Sequence, residues 1–234
     1  MTHPRDRLIV ALDVPDVDKA RALIEALGTS VGVYKIGLEL LFSGGFALAQ
    51  ELARHGRPVF LDAKLLDIEA TVERATAAIA RIGVEFLTVH ALDCKTLNAA
   101  VRGRGDSGLK LLGVTVLTNL SAADLIEQCI DHPLPDLVLH RADLARERGL
   151  DGVVASGHEA AAIRRAAGPD FLIVTPGVRP RGADTQDQAR AMTPKAAIEA
   201  GANYLVVGRP ITRARDPRAA ADAIVAEIDE ALSV

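Results

Sequence analysis

Short apolar runs alternate with longer segments of helical period from one end of the chain to the other. The runs are nearly continuous in Val, Ile and Leu, which is typical of parallel strands covered by helices on both faces. We predict strands over 8–13, 33–37, 58–64, 86–90, 109–117, 152–155, 171–175 and 204–207. The clearest helical patterns between them lie at 17–27, 47–55, 68–82 and 159–167. Strands that alternate with helices in this way predict an α/β fold, a (β/α)8 TIM barrel.

The whole chain, residues 1–234, is predicted to form one barrel domain with its active site at the carboxyl ends of the strands. No linker, repeat or low-complexity block marks a second domain. An open, doubly wound sheet is the alternative, but no Gly-x-Gly-x-x-Gly motif follows the first strand. Two segments are predicted loops, 131–136 and 176–187, and the second is placed where an active-site lid belongs.

Composition narrows the function. The 234 residues are 49% hydrophobic, which excludes wholesale disorder. A net charge of −4 and only 3% aromatic residues argue against nucleic acid as a partner. No apolar run is long enough to cross a membrane, and the N-terminus lacks the apolar core of a secretory signal. Two cysteines are too few for a disulfide framework, so we expect a cytoplasmic protein.

Charged residues close three of the predicted strands. Asp13 ends the first, Lys35 lies in the second, and Asp62 and Lys64 end the third. Since residues two apart share a strand face, Asp62 and Lys64 are predicted to point into the barrel mouth. Two acids that alternate with two lysines can keep both lysines charged, which indicates a site. A simple strand-end ion pair explains Asp62 and Lys64 equally well in isolation, and Asp67 also fits an ordinary helix N-cap.

A candidate anion pocket lies near the other end of the chain. Gly208 and Arg209 follow the last strand and enter a short helix, the usual phosphate position in such barrels. Gly208 allows close backbone approach, and Arg209 can bind phosphate oxygens with two hydrogen bonds. A surface arginine is the alternative, although its charge there opposes the helix dipole. Arg179 in the predicted lid is a second cation for the same anion.

Taken together, the motifs resemble bacterial-type orotidine 5′-phosphate decarboxylase along nearly the whole chain. The Asp-x-Lys-x-x-Asp motif alone is shared with related sugar-phosphate barrels, whereas the Thr-Pro-Gly-Val-Arg and Leu-Thr segments make the resemblance specific. The matching segments are 11–13, 35–37, 62–68, 114–118, 175–179 and 207–209.

The resemblance implies decarboxylation of orotidine 5′-phosphate to uridine 5′-phosphate and CO2, the last step of de novo pyrimidine biosynthesis, without metal or cofactor. It implies that Lys64 donates the proton to C6 and that Asp62, Lys35 and Asp67 are the other catalytic charges. It also implies a homodimer in which Asp67 and Thr71 reach the partner's site. The substrate-binding residues that it implies are Asp13, Lys35, Asp62, Ile68, Thr71, Thr118, Pro176, Arg179, Gln188, Gly208 and Arg209.

Three places depart from the family's usual residues. Leu66 stands where histidine is common, Glu69-Ala70 where Pro-Asn is common, and Asn119 where serine is common. Two other functions also fit the motifs. One is a magnesium-dependent sugar-phosphate lyase or aldolase with the same Asp-x-Lys-x-x-Asp array. The other is a catalytically silent protein that binds nucleotide phosphates.

Overall fold

The computed structural model of the protein describes residues 3–181 and 192–233. Its parallel strands close into a barrel in chain order, and the last strand pairs with the first. The strands are β1 (Leu8–Ala11), β2 (Val33–Ile36), β3 (Val59–Leu65), β4 (Phe86–His90), β5 (Lys110–Val114), β6 (Gly152–Val154), β7 (Leu172–Thr175) and β8 (Tyr204–Val207). This architecture confirms the predicted TIM barrel, and each predicted strand overlaps an observed one.

Helices follow every strand and cover the outside of the barrel. They are α1 (Val17–Leu27), α2 (Leu38–Leu40), α3 (Phe46–Arg54), α4 (Glu69–Ala80), α5 (Cys94–Arg104), α6 (Ala122–Glu127), α7 (Leu134–Glu147), α8 (Gly157–Ala167), α9 (Pro194–Glu199), α10 (Arg209–Thr212) and α11 (Pro217–Leu232). A 3-10 turn, Pro4–Arg7, precedes β1, and a π-helical turn, Leu41–Gly45, joins α2 to α3. Within the described residues, no helix is long and apolar enough to span a membrane.

Local sequence signals explain where the helices begin and end. Asp16 and Asp93 cap α1 and α5 by accepting backbone N–H groups of the first turn. Gly28 and Gly105 end the same helices with positive φ, which glycine adopts without a Cβ clash. The predicted loop 131–136 is wrong in its second half. Leu134–Glu147 is helical from Leu134 onward, because a proline in the first turn, where backbone N–H groups lack helical partners, is tolerated.

The apolar residues form two layers. One fills the barrel interior, and the other lies between the strands and the helices. The interior residues are Ile9, Ala11, Val33, Phe60, Phe86, Leu112, Val174, Tyr204 and Val206. Because strand side chains alternate between faces, residues two positions after Val33, Phe60 and Phe86 also face the barrel axis. These residues, Lys35, Asp62 and Thr88, are polar, so the packed interior gives way to a polar layer toward the carboxyl ends.

Candidate active site

Four charged side chains form a continuous row across the carboxyl ends of the first three strands. Lys35 Nζ lies 3.1 Å from Asp13 Oδ1 and 3.3 Å from Asp62 Oδ2. Lys64 Nζ lies 2.8 Å from the same Asp62 oxygen. Asp62 Oδ2 is therefore shared by two ammonium groups. Acids and lysines alternate along the row, as their positions at the strand ends predict.

The row runs from the protein interior to the cavity surface. The side chains of Lys35 and Asp62 are only 9% and 12% exposed, whereas those of Lys64 and Asp13 are 28% and 52% exposed. Isolated charges at the depth of Lys35 and Asp62 are costly unless they are paired. The buried pair therefore anchors the row, and Lys64 presents its ammonium group to the cavity.

At the buried pair of Lys35 and Asp62, burial and the neighbouring charges shift the pKa values in opposite directions. Burial favours the neutral form of both groups, but the neighbouring charges outweigh it. The pKa of Asp62 lies below its ordinary value because Lys35 and Lys64 stabilise the carboxylate. The pKa of Lys35 lies above its ordinary value because Asp62 and Asp13 stabilise the ammonium group. Both groups are therefore ionised at neutral pH.

The backbone of β3 is irregular where it carries Lys64. Pairing with β4 shifts between Leu61 and Leu65, and Lys64 has a φ of +49°. Such left-handed backbone is disfavoured for a residue with a Cβ. The prediction that Asp62 and Lys64 point the same way is correct, since their side chains form an ion pair, but the regular strand pleat assumed for it is wrong.

A cavity of about 310 Å³ opens beside this row. Its apolar floor includes Phe60 and Val206 of the barrel interior. The volume lies in the range of small-molecule sites, which combine apolar walls with a few polar groups. The predicted site residues that line this one cavity are Asp13, Lys35, Asp62, Lys64, Thr118, Pro176, Arg179, Gly208 and Arg209.

Two arginines and Gly208 also line this cavity. Gly208 precedes the short helix α10, and Arg209 is its first residue. Arg179 is only 7% exposed, and its backbone N–H donates to the carbonyl of Met192. The last strand and the segment after β7 thus bring two guanidinium groups to the same cavity.

Three predicted site residues lie outside this cavity. Asp67 is exposed, and its Oδ1 accepts the backbone N–H of Ile68. Ile68, which precedes α4 as its N-cap residue, is 72% exposed, and Thr71 lies in the first turn of the helix. Asp67 is therefore not the N-cap residue, which removes the simplest structural explanation for it. Gln188 lies outside the described residues.

Thr88 and Gly37, which lie next to the charged row, are not among the predicted site residues. Thr88 is fully buried on β4 and contacts both Asp62 and Lys64. Gly37 follows β2, and a Cβ there would lie 2.8 Å from Lys35 Nζ and 2.9 Å from Asp13 Oδ1. A polar residue in an inward-facing strand position and a glycine after a charged strand end are the signals that could have revealed them.

Other candidate ligands and nucleophiles lie outside the cavity. His90 ends β4 and is partly buried; burial lowers its pKa, and the charges of Lys64 and Arg141 lower it further. Cys94 and Cys129 are free thiols. Within 3–181 and 192–233, no three His, Cys, Asp or Glu side chains are placed to hold a metal ion.

A closed parallel barrel with an acid–lysine row at one mouth defines the class of TIM-barrel enzymes whose chemistry lies at the carboxyl ends of the strands. Within that class, residues 6–224 match the Orotidine 5′-phosphate decarboxylase / HUMPS family. The chain belongs to this family, which confirms the resemblance inferred from its motifs.

Curated relatives are similar to this chain over almost its full length. The chain is 55% identical to the orotidine 5′-phosphate decarboxylase of Rhodopseudomonas palustris strain BisB5, covering 97% of this chain and 96% of that protein. It is also 55% identical to the same enzyme from Methylobacterium sp. strain 4-46, covering 97% and 98%. A crystal structure of the enzyme from Lactobacillus acidophilus matches with a TM-score of 0.83 and 38% identity, covering 95% and 98%. The relatives are carboxy-lyases, the enzyme class that the motifs predict.

Proposed function

We propose that the protein converts orotidine 5′-phosphate to uridine 5′-phosphate and CO2, the last step of de novo pyrimidine biosynthesis. The observation that carries this proposal is Asp62 Oδ2 between two ammonium groups, at 3.3 Å from Lys35 and 2.8 Å from Lys64. Membership of the family and the names of the relatives support it. A cytoplasmic location stays a prediction, which cell fractionation tests.

Lys64 is the proposed proton donor. When the bond between C6 and the carboxylate breaks, CO2 leaves and the electron pair stays on the ring carbon. An ammonium group held near that carbon stabilises the developing charge and then transfers a proton to it. The amine formed at Lys64 recovers its proton from water. The ion pair with Asp62 holds the ammonium group in place before the reaction.

The remaining lining residues bind the parts of the substrate that do not react. In the proposed complex, Asp13 and Lys35 bind ribose hydroxyls and Thr118 contacts the base, and all three residues line the cavity. Arg179 and Arg209 are the two cations for the 5′-phosphate. Because the phosphate lies away from the reacting carbon, its binding energy is available to organise the site before the chemical step.

The proposed site is completed by a second subunit. Asp67 and Ile68 are exposed in this chain and lie outside its cavity. Their position between β3 and α4, next to Thr71, suits a segment that reaches the cavity of a partner. Mixing inactive Lys64→Ala and Asp67→Ala proteins is expected to restore part of the activity, because every mixed dimer carries one intact site and one doubly altered site. No recovery after proven subunit exchange contradicts the shared site.

A spectrophotometric assay with purified protein tests the function directly. We expect turnover of orotidine 5′-phosphate that is unchanged by a chelator, because the proposed chemistry needs no metal. Activity that disappears with chelator and returns with magnesium contradicts the metal-free mechanism and favours the chemistry of sugar-phosphate lyases. Tight binding of uridine 5′-phosphate without turnover favours the silent binding protein.

A further inference from the structure

Thr88 connects the two residues of the shortest ion pair in the charged row. It lies on β4, is fully buried, and is not among the residues that line the cavity. Its Oγ1 accepts the backbone N–H of Lys64 at 2.9 Å. The same hydroxyl donates to Asp62 Oδ1 at 2.9 Å. One side chain thus contacts the backbone that carries the ammonium group and the carboxylate that pairs with it.

The irregular pairing of β3 explains why this contact matters. Leu61 pairs with Leu87 and Leu65 pairs with Val89, so residues 62–64 lie opposite Thr88 alone. The regular ladder of hydrogen bonds is interrupted there, and a buried N–H that loses its ladder partner needs another acceptor. The threonine hydroxyl supplies that acceptor at Lys64, whose φ of +49° the neighbouring chain must enforce.

We propose that Thr88 is a positioning residue for the decarboxylation. Its hydroxyl holds Lys64 in the left-handed conformation and orients Asp62, so that Lys64 Nζ stays where the reacting carbon needs it. The kinetic part of this inference rests on the proposed function. Thr88 has no contact with the cavity and therefore acts only through these two residues.

Two variants of Thr88 separate the hydroxyl from the shape of the side chain. Thr88→Val keeps the shape and removes both hydrogen bonds, whereas Thr88→Ser keeps the hydroxyl. Thr76→Val is the matched control, because Thr76 is also fully buried and its Oγ1 has no hydrogen-bond partner among the described residues.

We expect Thr88→Val to lower kcat about 30- to 100-fold, the scale of a misplacement of roughly 1 Å. KM is expected to change less than about threefold, since the phosphate and ribose contacts stay in place. Thr88→Ser and Thr76→Val should keep kcat within about threefold of the unaltered protein. A Ser variant as slow as the Val variant, or a Val variant of unchanged kcat, overturns the proposal.

Crystal structures of the unaltered protein and of Thr88→Val give a readout that does not depend on activity. We expect Lys64 to leave the left-handed region and its Nζ to move away from Asp62. An unmoved Lys64 in the variant overturns the inference even if the activity falls. If the unaltered protein does not turn over orotidine 5′-phosphate, the proposed function fails, while this structural comparison still decides the role of Thr88.

If Thr88→Val does not fold, Thr88→Cys takes its place, because a thiol is a weak donor and a weak acceptor. Its kcat is expected to lie about tenfold below that of Thr88→Ser, and equal values overturn the proposal.

Discussion

Charged side chains lie at both ends of the barrel, but the two groups differ in burial and in their surroundings. At the carboxyl end, Lys35 and Asp62 are almost fully buried, and Lys64 adopts a disfavoured backbone conformation beside a cavity. At the amino end, Glu85 pairs with Lys110 with both side chains more than a third exposed. The buried charges at the carboxyl end interact strongly because little water screens them, which favours electrostatic catalysis. The exposed pair at the amino end links the start of β5 to the residue before β4 and is screened by water.

Arg164 is the clearest example of a charge with a structural role at the amino end. It donates to the backbone carbonyls of Gly168, Pro169, Phe171 and Gly201 and to the side chain of Asn203. Asn203 Oδ1 in turn accepts the backbone N–H of Ile173. One guanidinium group therefore joins the starts of β7 and β8. The charged row therefore differs from the charges at the amino end in the burial of Lys35 and Asp62 beside the candidate site.

The largest expected effect is at Lys64. Lys64→Ala removes the ammonium group that we propose stabilises and protonates the ring carbon, so kcat for orotidine 5′-phosphate should fall at least about a thousandfold. Lys110→Ala at the other end is the control and should keep kcat within about twofold. Steady-state kinetics measures both, and near-normal turnover of the Lys64 variant refutes its catalytic role.

Arg209 should show an intermediate effect at the carboxyl end. Arg209→Ala removes a proposed phosphate ligand, so KM should rise by about 10- to 100-fold, with a smaller fall in kcat. Arg218→Ala, an exposed arginine in α11, is the control with unchanged constants. Kinetics of the Arg209 variant that match those of the control would move the phosphate site elsewhere.

Arg164 should show the opposite behaviour, a loss of stability without a loss of kcat. Arg164→Met leaves several carbonyl oxygens without their donor, so we expect the free energy of unfolding to fall by about 2–3 kcal/mol. Arg165→Met, at an exposed position one residue further, should change it by less than about 0.5 kcal/mol. Urea unfolding measures both. A lower kcat in correctly folded Arg164→Met would contradict a purely structural role for this residue at the amino end of the barrel.

The smallest effect is expected at the exposed ion pair between Glu85 and Lys110. Glu85→Gln should lower the free energy of unfolding by less than about 1 kcal/mol, since exposed ion pairs contribute little. Burial acts to lower the pKa of Lys110, but its hydrogen bond and charge interaction with Glu85 raise it above the ordinary value. The contribution of the pair is therefore present below the pKa of Lys110 in the unfolded chain and is lost as pH rises through its pKa in the folded protein. Unfolding of both proteins between neutral and alkaline pH checks this, and a difference that grows with pH contradicts it.

Much of the fold follows from local patterns. The apolar runs predict all the strands, and the alternation with helical segments predicts the closed barrel that pairs them in order. Strand ends are less predictable: the apolar pattern predicts a strand over 109–117, whereas β5 ends at Val114. The apolar pattern continues through Val116, because side chains beyond the last strand pairing still pack against the core.

The site was only partly predictable. The charged residues at strand ends were recognisable because ionised groups are costly inside an apolar run. Thr88 and Gly37 were not, since their importance depends on which atoms of other segments lie within 3 Å. The roles of Asp67, Ile68 and Thr71 stay predictions, because a single chain places them outside its own cavity.

By itself, the sequence determined the order of strands and helices and the row of alternating charges at one end of the barrel. Hydrophobic period and residue type are local properties, so they can be read along the chain. The tertiary structure decided the shared oxygen of Asp62, the left-handed backbone of Lys64 and the hydroxyl that supports both. The left-handed backbone and the hydroxyl contacts arise where β3 and β4 pair with a shift in register, and such a shift depends on contacts between residues distant in sequence.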